Sequence, residues 1–137
     1  NRIKKNNNLK KLEILRSPNI NKNLDFTYFG GSLQYISDYK KSLKEVFKKS
    51  NFIIISQTPF YFNKKNQSDI ILKQLNLADS INYLHLINYN SFIKFMKKNR
   101  YNLVSKNYNR VIKFLNFKNL KKKHYKIDMY DLLFEKK

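Results

Sequence analysis

The sequence predicts an α/β fold with one largely parallel sheet that ends in an antiparallel strand pair. Residues 24–60 hold an apolar run, a Gly-Gly turn, an amphipathic segment and a second apolar run, the order of one parallel βαβ unit. A later amphipathic segment is followed by two extended segments, which indicates the antiparallel pair at the far edge. With 137 residues and no repeat or linker, the chain is expected to form one domain over residues 1–137.

The composition excludes several classes of protein. A hydrophobic content of 42% with 15% aromatic residues argues against general disorder. The absence of cysteine excludes disulfides, thiolate catalysis and cysteine-based zinc sites, and two distant histidines, His85 and His124, do not suggest a metal site. No apolar run approaches the ~20 residues of a membrane span, and no signal peptide is visible. We therefore expect no membrane span and a cytoplasmic location.

The basic charge has two interpretations. The chain carries 29 Lys and Arg against 9 Asp and Glu, a formal net charge of +20, which would suit a nucleic-acid partner. However, Asn, Lys, Ile, Tyr and Phe are all abundant, as A+T-rich coding would produce, and lysine is then a default surface residue. Nucleic acid is therefore a partner that the charge allows but that we do not favour.

The first elements follow from apolar runs and their breakers. Residues 12–15 (LEIL) are expected to form a short strand that Pro18 stops. Residues 24–29 are apolar on both sides, which predicts a central parallel strand. Gly30 and Gly31 then permit a turn with positive φ and a close approach to the backbone.

A capped helix and a buried strand are predicted next. Ser37 or Asp38 is a suitable N-cap for a helix. Its apolar side chains recur at helical spacing, namely Tyr39, Leu43, Val46 and Phe47. Residues 52–55 are apolar and largely β-branched, so they are expected to form a second buried strand, closed by residues 57–59.

The middle of the chain is the least regular section. Residues 69–77 are interpreted as a short helix or as part of a lid. Residues 81–88 are expected to be extended or turn-like, with Leu84 and Leu86 on one side and His85 on the other.

The last third of the sequence predicts one helix and the closing strands. Asn90 or Ser91 is expected to cap a short helix. Residues 101–108 alternate as a strand does, residues 111–117 are either a second extended piece or a connecting segment, and residues 127–134 form the last strand.

A candidate site lies where the two parallel strands end. Ligands of open α/β sheets bind outside the carboxyl ends of the strands. Both predicted ends should lie on one rim, because parallel strands point the same way. The rim residues offer neutral polar groups and flat apolar walls that suit a polar small molecule: Gly30, Gly31, Ser32, Gln34, Tyr35, Gln57, Thr58 and Phe60. The alternative is that Gly30 and Gly31 only turn the chain while Tyr35 and Phe60 belong to the core.

The residues identify no catalytic group. Neither paired carboxylates nor a Ser-His-Asp spacing can be recognised. His85 and His124 are interpreted as a loop residue and a surface residue, not as bases.

Residues 24–60 resemble the middle of a class I S-adenosylmethionine-dependent methyltransferase. The similarity is to a group of bacterial methyltransferases with a Ser-Leu-Gln-Tyr segment after the fourth strand and a Thr-Pro-Phe segment after the fifth, here residues 32–35 and 58–60. Residues 89–104 are similar to the late helix and sixth strand of that Rossmann-like fold, and residues 130–136 to its closing strand.

The resemblance implies a cofactor and a site. It implies that S-adenosylmethionine is bound at Gly30, Gly31, Ser32 and Leu33. It places the acceptor, a small molecule or saccharide, at Gln34, Tyr35, Gln57, Thr58, Pro59 and Phe60. The glycine-rich turn after the first strand of such enzymes, and the acidic residue that ends the second, have no counterpart here. The chain is therefore expected to be the C-terminal half of the fold, a partial domain whose exposed strand edge could support a homo-oligomer.

Two other functions stay open from the sequence. One is a non-enzymatic basic protein that binds RNA or associates with the ribosome. The other is a degenerate methyltransferase fold that is kept as an interaction module.

Overall fold

The computed structural model describes residues 23–63, 68–75, 81–109 and 126–137. The elements in these residues are β1 (Leu24–Gly30), a 3₁₀ turn (Leu33–Tyr35), α1 (Tyr39–Phe47), β2 (Ser50–Phe62), β3 (Ile70–Leu75), β4 (Ile81–Asn88), α2 (Tyr89–Lys98), β5 (Tyr101–Tyr108) and β6 (Lys126–Lys136). The predictions for residues 12–15 and 111–117 lie outside the described residues.

The described strands form one mixed sheet. Its main path runs β3-β4-β2-β6-β5, and β1 also pairs with β2. β1 and β2 are parallel, with Phe26 opposite Phe52, whereas β6 is antiparallel to both β2 and β5. The predicted α/β fold, its βαβ unit and its antiparallel end are confirmed.

β2 contains a β-bulge that decides which side chains enter the core. Ile55 lies opposite Leu132, and Thr58 lies opposite Tyr130, so β2 has one more residue than β6 over this stretch. The extra residue reverses the alternation of side chains along β2. As a result both Ile55, before the bulge, and Phe60, after it, face the helices and are fully buried.

α1 begins as predicted at Asp38. The Asp38 carboxylate accepts a 3.0 Å hydrogen bond from the backbone N–H of Lys41, which satisfies one free donor of the first turn. Leu43 and Phe47 on its apolar face are buried, and the Phe47 ring lies 4.8 Å from the Tyr101 ring, centroid to centroid. This face packs α1 onto the sheet.

The cap of α2 differs from the prediction of Asn90 or Ser91. The helix begins at Tyr89, and Asn88 is its N-cap, with a side-chain oxygen that accepts a 2.9 Å hydrogen bond from the Ser91 N–H. Asn88 also ends β4. The strand therefore passes directly into the helix, so the cap lies earlier in the chain than Asn90.

Residues 70–75 form a strand, where the sequence was interpreted as a short helix or part of a lid. Residues Ile70–Leu75 are a strand that pairs antiparallel with β4, placing Ile71 opposite His85 and Lys73 opposite Tyr83. The pairing with β4 supplies backbone partners that a short, isolated helix would lack. The prediction that residues 81–88 are extended is confirmed, with Leu84 and Leu86 buried on one side and His85 on the other. The interpretation of His85 as a loop residue is wrong, because His85 lies within β4, opposite Ile71.

The two helices cover one face of the sheet. Phe92 and Met96 of α2 join the buried residues of β2, β5 and β6 in a single core. On the opposite face Phe26, Tyr28 and Phe52 are exposed. β1, expected to be central, pairs only with β2 among the described strands. No helix of the described residues is long and apolar enough to cross a membrane.

Candidate functional site

The carboxyl end of β1 lies beside the bulge of β2. The prediction that residues 57–59 close the second strand is wrong, because residues 58–62 pair with β6 and β2 continues to Phe62. Gly30 lies opposite Ser56, and the Gly31 N–H donates a 2.9 Å hydrogen bond to the Ser56 carbonyl. Gly31 has a φ of +60°, where a side chain would be strained, and an added Cβ would lie 3.2 Å from Gln57 Oε1. The turn therefore favours glycine at this position, and Gly31 presents backbone without a side chain of its own beside Gln57.

Gln34 joins the turn after β1 to the bulge of β2. Its Nε2 donates to the Gly31 carbonyl at 3.0 Å and to the Gln57 carbonyl at 3.3 Å. Its Oε1 lies 3.4 Å from the Thr58 hydroxyl, which donates to it. Gln34 is buried, so its side chain serves to shape the rim.

Asp131 fixes the rim from the other side. Its Oδ1 accepts hydrogen bonds from the Ser56 hydroxyl at 2.6 Å and from the Gln57 N–H at 3.0 Å. The Asn109 side chain donates to both carboxylate oxygens, at 3.1 and 3.2 Å. Burial opposes ionisation of the Asp131 carboxyl, but these hydrogen bonds outweigh it and hold its pKa below the usual value.

Gln57, whose N–H is hydrogen bonded to Asp131, has an uncommon backbone conformation. Gln57, in the bulge of β2, has a φ of 53°, in the left-handed region. Such residues and bulges are frequent beside functional sites. No role for Asp131 was predicted from the sequence. A charged residue inside the apolar run of residues 127–134 was the available signal.

The predicted site residues divide into a surface group and a buried group. Ser32, Tyr35 and Gln57 are exposed at the rim. The others are buried, and their side chains pack the interior: Leu33, Gln34, Thr58, Pro59 and Phe60. Gly30 and Gly31 contribute backbone only.

A groove opens beside Tyr35. It has a volume of about 590 Å³ and is lined by Tyr35, Ser37, Ile71, Ile81, Asn82, Tyr83 and His85. One wall follows the 3₁₀ turn, and the other is the face of the β3–β4 hairpin that carries Tyr83 and His85. This groove was not predicted from the sequence, because the hairpin that forms its wall needs β3, and residues 69–77 were interpreted as a short helix or part of a lid.

The floor behind the groove is a buried polar cluster. The Tyr39 ring lies edge-on to the His85 ring, 5.7 Å between centroids. The Tyr39 hydroxyl donates a 2.6 Å hydrogen bond to Asp69 Oδ2, and Asp69 Oδ1 accepts from the Asn88 N–H at 2.9 Å. Burial and the neighbouring Asp69 carboxylate raise the pKa of the Tyr39 hydroxyl. Tyr39 is therefore a neutral donor that supports the hairpin.

Metal ligands do not cluster in the described ranges. Within them, no group of three or more His, Cys, Asp or Glu side chains could hold an ion.

Solved structures that resemble the chain include a domain crystallised with SAH and a methyltransferase. The N-terminal domain of EvdMO1, crystallised in the presence of SAH and D-fucose, aligns with a TM-score of 0.55 at 10% identity over 85% of this chain. An S-adenosylmethionine-dependent methyltransferase from Clostridium acetobutylicum aligns with a TM-score of 0.51 at 15% identity over 87%. The chain spans 48% and 61% of the lengths of these two structures.

Comparisons at the sequence level are negative. No protein-family model matches the sequence, and no curated protein matches it. The likeness to solved structures therefore concerns the fold. The chain has the class I methyltransferase fold that the sequence predicts.

Proposed function

We propose that the protein is an S-adenosylmethionine-dependent methyltransferase whose cofactor lies against the rim at Gly31. The observation that carries the proposal is the left-handed Gly31 at the carboxyl end of β1, hydrogen bonded to Ser56 beside the bulge of β2, on a class I methyltransferase fold. In open α/β sheets this is the edge at which ligands bind.

The residues of the rim fit the methionine end of the cofactor. Gly30, Gly31 and Ser32 would contact it through backbone or small side chains. The Leu33 side chain is fully buried, so only its backbone could take part. When bound, the cofactor supplies a methyl group on a sulfonium. The chain's own contribution is to position the reactants, and the hydrogen bonds of Gln34 and Asp131 keep the rim in one shape for that purpose.

The acceptor that we propose is a small neutral molecule with hydroxyl groups, such as a monosaccharide. The EvdMO1 domain was crystallised with D-fucose, and the exposed predicted site residues Ser32, Tyr35 and Gln57 are uncharged. Neither solved structure supports the RNA-binding function, which is not proposed.

The test is calorimetry with SAH on the full chain. We expect saturable binding to the wild-type protein and at least about tenfold weaker binding to Gly31→Ala, since the added Cβ would narrow the approach to the backbone. Val104→Ala, at an exposed position of β5, is the control and should bind like wild type. Circular dichroism checks that each variant is folded. A folded wild-type protein that gives no heat with SAH contradicts the proposal.

A further inference from the structure

The groove between Tyr35 and the β3–β4 hairpin has the composition of a site for an uncharged, polyhydroxylated ring. Its volume of about 590 Å³ is within the ~300–1,000 Å³ of small-molecule pockets. Tyr35 and Tyr83 are 47% and 61% exposed, so both present accessible ring surface. No Lys, Arg, Asp or Glu lines it, although the chain has a net charge of +20.

His85 supplies a polar group in the groove whose hydrogen bonds are not satisfied. Its Nδ1 is buried and has no hydrogen-bond partner in the described part of the chain. The His85 side chain is nevertheless partly exposed and lines the groove. A buried, unpartnered ring nitrogen costs free energy, and such groups in native proteins call for an explanation. Nδ1 itself has almost no accessible surface, so a hydroxylated ligand in the groove would meet the exposed part of the imidazole and would reach Nδ1 only after the ring turns.

The groove is joined to the rim by a short, rigid segment. Tyr35 is the last residue of the 3₁₀ turn, and its N–H donates a 3.0 Å hydrogen bond to the Ser32 carbonyl. The preceding residue, Gln34, is hydrogen bonded to Gly31. A ring held against Tyr35 therefore lies next to the segment at which we place the cofactor.

We propose that this groove is the acceptor site, that Tyr35 and Tyr83 stack on the apolar face of a sugar ring, and that His85 hydrogen bonds to a sugar hydroxyl. That the bound sugar is the methyl acceptor rests on the proposed methyltransferase function. The binding itself can be tested without the cofactor.

The experiment is saturation-transfer-difference NMR of D-fucose with the full chain, with and without SAH. We expect ring-proton signals with the wild-type protein, a loss of at least about fivefold in signal for Tyr83→Ala, and a clear loss for His85→Ala. Tyr108→Ala is the matched control. Tyr108 is 53% exposed but lies on β5, at the opposite edge of the sheet from the hairpin, and its loss should leave the signal unchanged.

The outcomes separate the two proposals. D-fucose signals that persist in Tyr83→Ala and His85→Ala, or that never appear with the folded wild-type protein, overturn the acceptor site. Absence of SAH binding by calorimetry overturns the methyltransferase function alone, because the sugar measurement without SAH still decides whether the groove binds D-fucose. His85→Gln adds a further readout. It should retain more signal than His85→Ala if the ring acts as a hydrogen-bonding group, and an equal loss in both would overturn the role of His85.

Discussion

Asp131 holds Gln57 in a left-handed backbone conformation across the bulge of β2. The carboxylate accepts the Gln57 N–H at 3.0 Å, and the Gln57 φ is 53°. The same carboxylate binds Ser56 and Asn109. One side chain thus stabilises the irregular backbone on which the candidate site is built.

Asp131→Asn is expected to lower the free energy of unfolding at neutral pH by about 1–3 kcal/mol, because a charged acceptor is lost and an amide donor faces other donors. The folded pKa of Asp131 lies below that of an unfolded aspartate, about 3.9. The ionised Asp131 carboxylate therefore stabilises the fold fully above about pH 3.9, the unfolded pKa. This stabilisation is lost as the pH falls through the lower pKa of the folded state. Urea unfolding at pH 7 and at about pH 3 measures both effects.

In that experiment the difference between wild type and Asp131→Asn should shrink at the lower pH. Asp25→Asn removes an exposed carboxylate and should stay within about 0.5 kcal/mol of wild type. A constant difference between wild type and Asp131→Asn at both pH values would contradict the assigned role.

Gln57→Gly is expected to stabilise the fold. A left-handed conformation costs a residue with a Cβ about 1–2 kcal/mol, while glycine adds about 0.5–1 kcal/mol of unfolded-state entropy. A net gain of about 0.5–1 kcal/mol in unfolding free energy should remain. Arg100 also has a positive φ, of 65°, so Arg100→Gly should likewise raise the free energy of unfolding. Gln57→Ala keeps the Cβ, so its free energy of unfolding should stay close to that of the wild-type protein. A gain in stability as large as that of Gln57→Gly would refute the explanation.

Lys106 is expected to stabilise the sheet through aromatic rings. Its Nζ lies 4.0 Å from the Tyr130 ring centroid and 4.2 Å from that of Tyr89. Burial, with a hydrogen bond to Asp128, raises the pKa of Tyr130 to about 12, so the ring is neutral at pH 7 and the attraction is of the cation–π type. Lys106→Met should cost about 0.5–2 kcal/mol, whereas Lys106→Arg should retain most of the stability. Equal unfolding free energies for the two variants would argue against a cation–π contribution.

Tyr39→Phe tests the polar cluster behind the groove. The variant leaves Asp69 Oδ2 without its 2.6 Å donor and should cost about 1–3 kcal/mol in unfolding free energy. Tyr28→Phe, at an exposed tyrosine, should be neutral. Guanidinium unfolding of both variants gives the comparison, and a neutral Tyr39→Phe would show that the hydroxyl is not needed.

The fold was predictable where the determinants are local. The apolar runs of β1 and β2 and the Asp38 cap lie within one continuous stretch and specify a βαβ unit without distant partners. β3 was not predictable in this way, because residues 70–75 become a strand only through pairing with residues 81–86. The cap of α2 was misplaced since Asn88 serves strand and helix at once.

The candidate site was predictable only in part for the same reason. Gly30 and Gly31 are a local sequence signal that indicates the turn at the rim. Asp131 reaches Gln57 across 74 residues of sequence, and nothing in the local sequence of either residue indicates that contact. Phe60 was expected at the site, but the bulge turns it into the core. A one-residue irregularity thus decided which residues of the predicted site reach the surface.

The bulge of β2 also limits how the chain length can vary during evolution. Deleting the extra residue between Ile55 and Thr58 would send Phe60 and Phe62 to the opposite face and bring their neighbours into the core. A two-residue change would keep the facing but would shift the point at which β4 joins the strand, at Phe60 and Tyr61. Insertions and deletions should therefore be absent from residues 55–61 in related sequences, however far their side chains diverge.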